Sequence, residues 1–253
     1  MATETDAGII ADLVLAYKIL VNEAVLDSFG HVSARSPANP ERFFLPRAMP
    51  PSLVEADDVL ELSVETSQPV DPRGRRTNGE RYLHGEIYKA RPDVNAVVHS
   101  HSQAVIPFSL TNVPMRPVLV QAGFMPLTIP NFEIREVRGS GRGMQITDMA
   151  RGAALAKTLG NGPLALLRGH GNVVVGSSVK QATVFAAYTD INARMQARAL
   201  QIDRHIVVMD EPELFEPWEF DINRPWENFR QKLLSDTART RVDRAQFGLD
   251  HTQ

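Results

Sequence analysis

Short apolar segments broken by glycine and proline alternate with longer segments of helical periodicity along most of this chain. Apolar residues recur at helical spacing over residues 9–26 and again over residues 179–200, and both patterns predict long helices. Short segments of this kind are typical of strands in an antiparallel sheet. The first three lie at residues 31–34, 43–45 and 59–62.

The remaining segments continue this alternation. Shorter helices are predicted over residues 80–90, 103–110 and 146–159, and buried strands over residues 94–98, 164–167 and 173–175. A polar segment rich in glycine and proline, residues 71–79, connects the two halves. We therefore predict one mixed α/β domain over residues 1–202. Residues 203–253 are polar and proline-rich, and we expect this tail, anchored by Trp218 and Trp226, to dock on the domain or on a neighbouring subunit.

The composition excludes several classes of protein. The chain has 253 residues, no cysteine and a formal net charge of −3. Without cysteine there is no disulfide, thiolate nucleophile or thiolate ligand, so a metal ion must be held by His, Asp or Glu. The charge balance argues against a nucleic-acid partner. No apolar segment approaches the roughly 20 residues that cross a bilayer and the first residues lack a signal-peptide pattern, so we expect a cytoplasmic protein without a membrane partner.

Two of the predicted strands end at histidines. His99 and His101 form His-Ser-His directly after residues 94–98, and side chains two apart on a strand point to the same face. His170 follows the strand at residues 164–167 between two glycines, which permit a sharp turn. Three neutral imidazoles are a common ligand set for Zn, Mn, Fe or Co. The spacing alone does not place His170 beside the other two, and buried histidines that are only hydrogen-bonded remain the alternative.

An acidic residue begins the predicted helix that leads into the His-Ser-His strand. Glu80 suits a fourth ligand or a general acid/base. A glutamate in a first helical turn also complements the helix dipole, and the spacing alone favours that interpretation. His84 lies one turn further on the same face, where it either assists proton transfer or forms a structural hydrogen bond.

These residues lie in segments that resemble the class II aldolase/adducin family over residues 8–200. The segments that carry the resemblance are FGHVSAR (29–35), FLPRAMPP (44–51), NGERYLHGEIYKARPDVNAVVHSHS (78–102) and LLRGHGNVVVG (166–176). The resemblance implies an α/β/α layered fold around a mostly antiparallel central sheet, and a homo-oligomer that is commonly a tetramer. It implies a divalent metal ion (Mn, Zn, Fe or Co) held by His99, His101 and His170, with Glu80 as the acid/base.

Three loops depart from the phosphate-binding loops of the sugar-phosphate aldolases in this family. The chain has Gly30-His31-Val32-Ser33 in place of Gly-Asn-Val-Ser, Pro46-Arg47-Ala48-Met49-Pro50 in place of Pro-Thr-Gly-x-Pro, and Asn78-Gly79 in place of Ser-Ser. Small hydroxyls and glycine suit a phosphate wrapped by backbone N–H groups, whereas Arg47 offers a planar fork for a carboxylate. The residues expected to bind substrate are His31, Ser33, Arg47, Asn78 and Gly79. A solvated surface arginine is the alternative for Arg47.

The sequence is accordingly more similar to family members that decarboxylate hydroxylated aromatic or pyridine carboxylic acids. We predict a metal-dependent carbon–carbon lyase of aromatic compound catabolism, which stabilises the charge left by the departing CO2 as an enolate or phenolate. Glu80 and His84 are the predicted catalytic residues, and the partner is a small-molecule carboxylate. The alternatives are a sugar-phosphate aldolase or epimerase, a non-catalytic adducin-like interaction domain, and an Fe(II) oxygenase on the same scaffold.

Overall fold

The computed structural model describes residues 5–217 and 219–246, and the side chains of this part up to residue 235. Its helices are Asp6–Asn22 (α1), Arg81–Ala90 (α2), Ile106–Leu110 (α3), Met149–Leu159 (α4), Val179–Ile202 (α5) and Asn223–Gln246 (α6). Its strands are His31–Arg35 (β1), Arg42–Pro46 (β2), Val59–Ser63 (β3), Ala96–Ser100 (β4), Asn131–Phe132 (β5), Leu164–Leu167 (β6) and Gly171–Gly176 (β7).

The strands of the described part form a seven-stranded sheet in the order β3-β2-β1-β4-β7-β6-β5. Neighbouring strands are antiparallel except β5 and β6, which are parallel. His31 of β1 pairs with His99 of β4, and Ser100 of β4 pairs with Asn172 of β7. The end of β4 therefore lies between the start of β1 and the start of β7, where the predicted histidines are.

Helices cover both faces of this sheet. Successive side chains of a strand point to opposite faces, so neighbouring residues of one strand pack against different helices. Val98 packs in an apolar cluster with residues of α1 and α5. The adjacent Val97 packs in a second cluster with residues of α2 and α4. This arrangement confirms the predicted α/β/α layers around a mostly antiparallel sheet.

Several helix boundaries differ from the predicted ones by a few residues, and two of these differences have a clear local reason. α1 ends at Asn22 rather than at residue 26, because Ala24 has a left-handed backbone conformation (φ 58°) that turns the chain toward β1. The helix predicted over residues 146–159 begins only at Met149, because the side chain of Asp148 caps it by accepting a hydrogen bond from a backbone N–H of its first turn.

The sequence pattern does not predict β5 or α6. β5 has two residues, which are too few to show an alternation of apolar and polar side chains, and it forms by parallel pairing with β6. α6 lies in the polar segment that we interpret as a tail. Trp226 and Phe229 of this helix are nevertheless buried in the cluster that contains α1 and α5.

An ion pair also joins the tail to the domain. The Nζ atom of Lys232 lies 2.8 Å from a carboxylate oxygen of Glu23. Trp218, the other expected anchor, lies outside the described residues, and the boundary at residue 202 stays a prediction. No helix in the described part of the chain is long and apolar enough to cross a membrane.

Candidate metal centre

Two strand ends bring the predicted ligands together. His99 lies on β4 and His101 directly follows it, and their Nε2 atoms are 3.2 Å apart. His170 lies in the turn between β6 and β7, where Gly169 has a φ of 63°, a left-handed conformation that favours glycine. Gly171 lets β7 approach the end of β4, because a side chain at this position would collide with the backbone there. The turn therefore places His170 beside the other two histidines.

Glu80 adds a fourth donor to this group. Its Oε2 atom lies 3.9 Å from Nε2 of His99, and its Oε1 atom lies 3.7 Å from Nε2 of His170. One donor atom from each of Glu80, His99, His101 and His170 lies within 4.8 Å of the others. Donors bound at about 2.1 Å from one tetrahedral ion lie about 3.4 Å from each other. The spacing therefore fits a single divalent ion.

The side chain of Glu80 does not act as a helix cap. Glu80 occupies the N-cap position of α2, but its carboxylate forms no capping hydrogen bond. Its Oε1 atom instead accepts a hydrogen bond from the backbone N–H of Ile146 at 2.9 Å. This bond holds the carboxylate toward the histidines.

Burial and neighbouring groups keep these residues in forms that bind metal. Burial disfavours ionisation of Glu80, but the facing rings of His31, His99 and His170 outweigh it, so the pKa of this carboxyl is held well below its usual range. Burial lowers the pKa of His99 strongly and also lowers that of His170. An ionised carboxylate and neutral imidazoles are the forms that coordinate a metal ion.

Hydrogen bonds orient two of the predicted ligands. Nδ1 of His99 lies 3.1 Å from the backbone oxygen of Asn172, which can only accept, so this ring carries its proton on Nδ1. Nδ1 of His101 lies 3.3 Å from Oδ1 of Asp27. Both contacts leave Nε2 free to face the centre of the cluster, as is usual for histidine ligands of metals.

The cluster lies at the wall of an open cavity of about 880 Å³. The predicted residues that line this cavity are His31, Asn78, Gly79, Glu80, His101 and His170. Apolar side chains form another part of the wall, and they include Phe29, Met49, Pro50 and Met144. The cavity thus combines an apolar surface with a group of metal-binding side chains.

Four predicted residues do not line the cavity, and one of them is the fully buried ligand candidate His99. Arg47 turns away from the cavity, because its Nε donates a hydrogen bond to Asp58 at 2.8 Å. The structure therefore does not bring this substrate-binding candidate to the site. Ser33 and His84 are fully buried next to His31 rather than exposed to the cavity.

Arg76 lines the cavity and is not singled out by the sequence. It is one of three arginines in the segment DPRGRRTNG. Arg73 and Arg75 form ion pairs with Asp57, whereas no carboxylate among the described side chains lies within ion-pair distance of Arg76. The backbone oxygen of Arg76 accepts a hydrogen bond from Ala48 N–H at 2.8 Å, which ties this segment to the loop after β2.

A chain of short polar contacts runs inward from the cavity. Nδ1 of His31 lies 2.6 Å from Nε2 of His84, whose Nδ1 lies 2.6 Å from Oγ of Ser33. The same Oγ lies 2.7 Å from the hydroxyl of Tyr88, which no sequence pattern predicts as a site residue. Glu80, His84 and Tyr88 follow each other at four-residue intervals, so α2 presents them on one face. Burial first, and His31 second, hold the pKa of His84 well below its usual range, so its ring is neutral.

Comparison with known proteins supports the same family that the sequence resembles. The model of the family described as Class II Aldolase and Adducin N-terminal domain matches residues 11–197. Decarboxylase tropJ of Talaromyces stipitatus is 32% identical over 205 residues, which are 77% of this chain and 77% of that protein. The 3,4-dihydroxyphthalate decarboxylase of Arthrobacter keyseri is 28% identical over 192 residues, or 74% of this chain and 76% of that protein. The resemblance to the decarboxylases of the family is thereby confirmed.

The fold has a counterpart among solved structures. The structure of L-fuculose 1-phosphate aldolase from Glaciozyma antarctica PI12 matches with a TM-score of 0.73, covering 91% of each chain. Its sequence identity is 21%, so this match shows a common fold and not a common substrate.

We predict that His170→Ala loses bound metal without unfolding. Removing even an outer partner of a metal ligand weakens binding by about 10- to 100-fold, so loss of a direct ligand is expected to weaken it by more. Elemental analysis measures the metal content, and circular dichroism monitors the fold. His205→Ala is the control, because the side chain of His205 is 97% exposed. A His170→Ala protein with full metal content and full activity would refute the ligand set.

Proposed function

The chain belongs to the class II aldolase and adducin family, and we propose that it is a metal-dependent lyase that decarboxylates a hydroxylated aromatic or pyridine carboxylic acid. The observation that carries the proposal is the convergence of Glu80, His99, His101 and His170 at the wall of an open cavity. The similarity to two decarboxylases supports the choice of reaction. A homo-oligomer, commonly a tetramer in this family, and a cytoplasmic location belong to the same proposal.

The donor set suits the metal that this proposal needs. His99, His101 and His170 would hold a divalent ion such as Mn, Zn, Fe or Co, since imidazole binds all of them. When bound, the ion supplies a Lewis acid that stabilises negative charge on a substrate oxygen.

The cavity also suits the substrate class. Phe29, Met49 and Met144 provide apolar surface for a ring. Arg76 provides a cation for a carboxylate, and a guanidinium forms two parallel hydrogen bonds with this group. Arg47, which we expected in this role, is paired with Asp58. We therefore propose Arg76 as the residue that binds the carboxylate.

The chain's own residues would move the proton that decarboxylation requires. Because Glu80 is ionised, its carboxylate can accept the hydroxyl proton of the substrate. It would then deliver that proton to the ring carbon that bears the leaving carboxylate. The carbon–carbon bond breaks, its electron pair returns to the ring, and CO2 leaves. One group thus acts first as base and then as acid.

The direct test is an assay of CO2 release from hydroxylated aromatic and pyridine dicarboxylates, with the protein supplied in turn with each candidate metal ion. We expect CO2 release that needs metal and proceeds without oxygen uptake. Oxygen uptake would support the Fe(II) oxygenase instead, and cleavage of a sugar phosphate would support the aldolase. Protein that neither binds metal nor turns over any of these compounds would be the non-catalytic module.

Arg76→Ala is expected to raise KM for a dicarboxylate substrate by about 10- to 100-fold, because hydrogen bonds to charged groups contribute about 1.5–3 kcal/mol. Arg47→Ala is the matched control. It also removes one positive charge, but that charge lies outside the cavity and is paired with Asp58. Steady-state kinetics of both variants measure the difference. A larger KM effect in Arg47→Ala than in Arg76→Ala would contradict the assignment.

Glu80→Gln is expected to lower the rate of CO2 release by about 10²- to 10⁴-fold, the usual contribution of acid–base catalysis. Metal content should stay near that of the unmodified protein, since three histidines remain. Glu86→Gln is the control, because Glu86 is also buried on α2 but pairs with Lys89. If Glu80→Gln loses the metal together with the activity, Glu80 is a ligand and not the acid/base.

A further inference from the structure

The polar chain behind the cavity consists of four side chains that are almost completely buried. His31, His84, Ser33 and Tyr88 are between 0% and 2% exposed. Their contacts of 2.6, 2.6 and 2.7 Å are short enough that each must contain a hydrogen atom. The chain has one end at the cavity, which His31 lines, and the other end at Tyr88.

The inner end favours one direction for these hydrogen bonds. A phenol has one hydrogen, and among the described residues Ser33 Oγ is the side-chain partner of the Tyr88 hydroxyl. Burial raises the pKa of Tyr88, so this hydrogen is retained. Tyr88 therefore donates to Ser33, and the serine hydrogen is left to donate to Nδ1 of His84.

The rings of His84 and His31 extend the same direction of hydrogen bonding toward the cavity. A neutral imidazole carries one hydrogen, and Nδ1 of His84 is already an acceptor, so the hydrogen lies on Nε2. That Nε2–H donates to Nδ1 of His31. The one ring hydrogen of His31 must then lie on its own Nε2, which is buried and has no hydrogen-bond partner among the described residues.

The outer end favours the same direction. Nε2 of His31 lies 3.8 Å from Oε2 of Glu80, and the oxygens of a carboxylate are hydrogen-bond acceptors. With the opposite direction, the lone pair of Nε2 would face this carboxylate oxygen, and their electrostatic repulsion disfavours that arrangement.

We propose that Tyr88, Ser33 and His84 are positioning residues that hold His31 as the Nε2–H tautomer, so that His31 donates a hydrogen bond to a negatively charged substrate oxygen in the cavity. The identity of the substrate group rests on the proposed function, but the tautomer does not. Ser33, which we expected to touch the substrate, would act through His84 and His31.

The tautomer can be read directly by nitrogen NMR of protein with ¹⁵N-labelled histidine. The zinc-loaded full chain is suitable, because Zn²⁺ is d¹⁰ and does not broaden the signals. His31→Gln identifies the His31 signals by their loss. We expect protonated Nε2 and unprotonated Nδ1 for both His31 and His84. A His31 ring protonated on Nδ1, or on both nitrogens at neutral pH, would overturn the proposal.

Two substitutions of nearly equal size test the direction of the chain. Ser33→Asp presents only acceptors when ionised, so His84 should carry its proton on Nδ1 and donate it to the new carboxylate. Nε2 of His84 then becomes an acceptor, and the proton of His31 should move to Nδ1 of His31. Ser33→Asn retains a donor and should keep the original tautomer. We expect kcat for CO2 release to fall about 10²-fold or more in Ser33→Asp relative to Ser33→Asn, the usual cost of losing a preorganised donor. Equal tautomers and equal kcat in both folded variants would contradict the proposal.

The two proposals can fail separately. An Nε2–H tautomer in a protein that releases no CO2 would leave the positioning role standing and refute the decarboxylase. CO2 release with His31 protonated on Nδ1 would support the decarboxylase and refute the positioning role. If neither Ser33 variant folds, the tautomer of the unmodified protein still decides.

Discussion

A buried carboxylate that faces histidines but no lysine or arginine among the described residues is the constraint on which this site depends. Glu80 is 6% exposed and ionised, and among the described residues no lysine or arginine lies within ion-pair distance of it. A buried charge needs an opposite charge close by. The imidazoles of His99, His101 and His170 each turn a nitrogen atom toward the same point. A divalent cation at that point would satisfy the carboxylate and the imidazoles together.

The fold divides the work of holding these groups between a helix and the sheet. The register of β1, β4 and β7 fixes the rings of His31 and His99 side by side. α2 and its N-cap residue contribute Glu80, His84 and Tyr88 at four-residue intervals, so one side of this helix supplies the carboxylate and the support for His31. The polar chain is therefore part of the buried core, while much of the cavity wall comes from loops. Loops of this kind can vary the substrate on a constant scaffold.

Patterns with a local cause were predictable from the sequence. The strand ending at His99 and His101 follows from a short β-branched segment, and the spacing of two places both rings on one face. The position of His170 beside them was available only through family resemblance, because it depends on the pairing of β4, β6 and β7. Glu80 as a donor aimed at the histidines could not be separated from a helix cap by spacing alone.

Other features lack a local signal. Arg76 differs from Arg73 and Arg75 only in what lies opposite it in the folded chain. In the sequence, Tyr88 occupies an ordinary apolar position of α2. Only the structure shows that its hydroxyl contacts Ser33. For Arg47 the motif suggests a substrate contact, but the structure pairs its side chain with Asp58.

Metal analysis of the purified full chain, before and after chelation, tests the central claim most directly. The account predicts one divalent ion per chain, loss of CO2 release when a chelator removes the ion, and recovery when the ion is restored. A metal-free protein that still releases CO2 at the original rate would contradict it, because Glu80 and the three histidines would then serve a different chemistry.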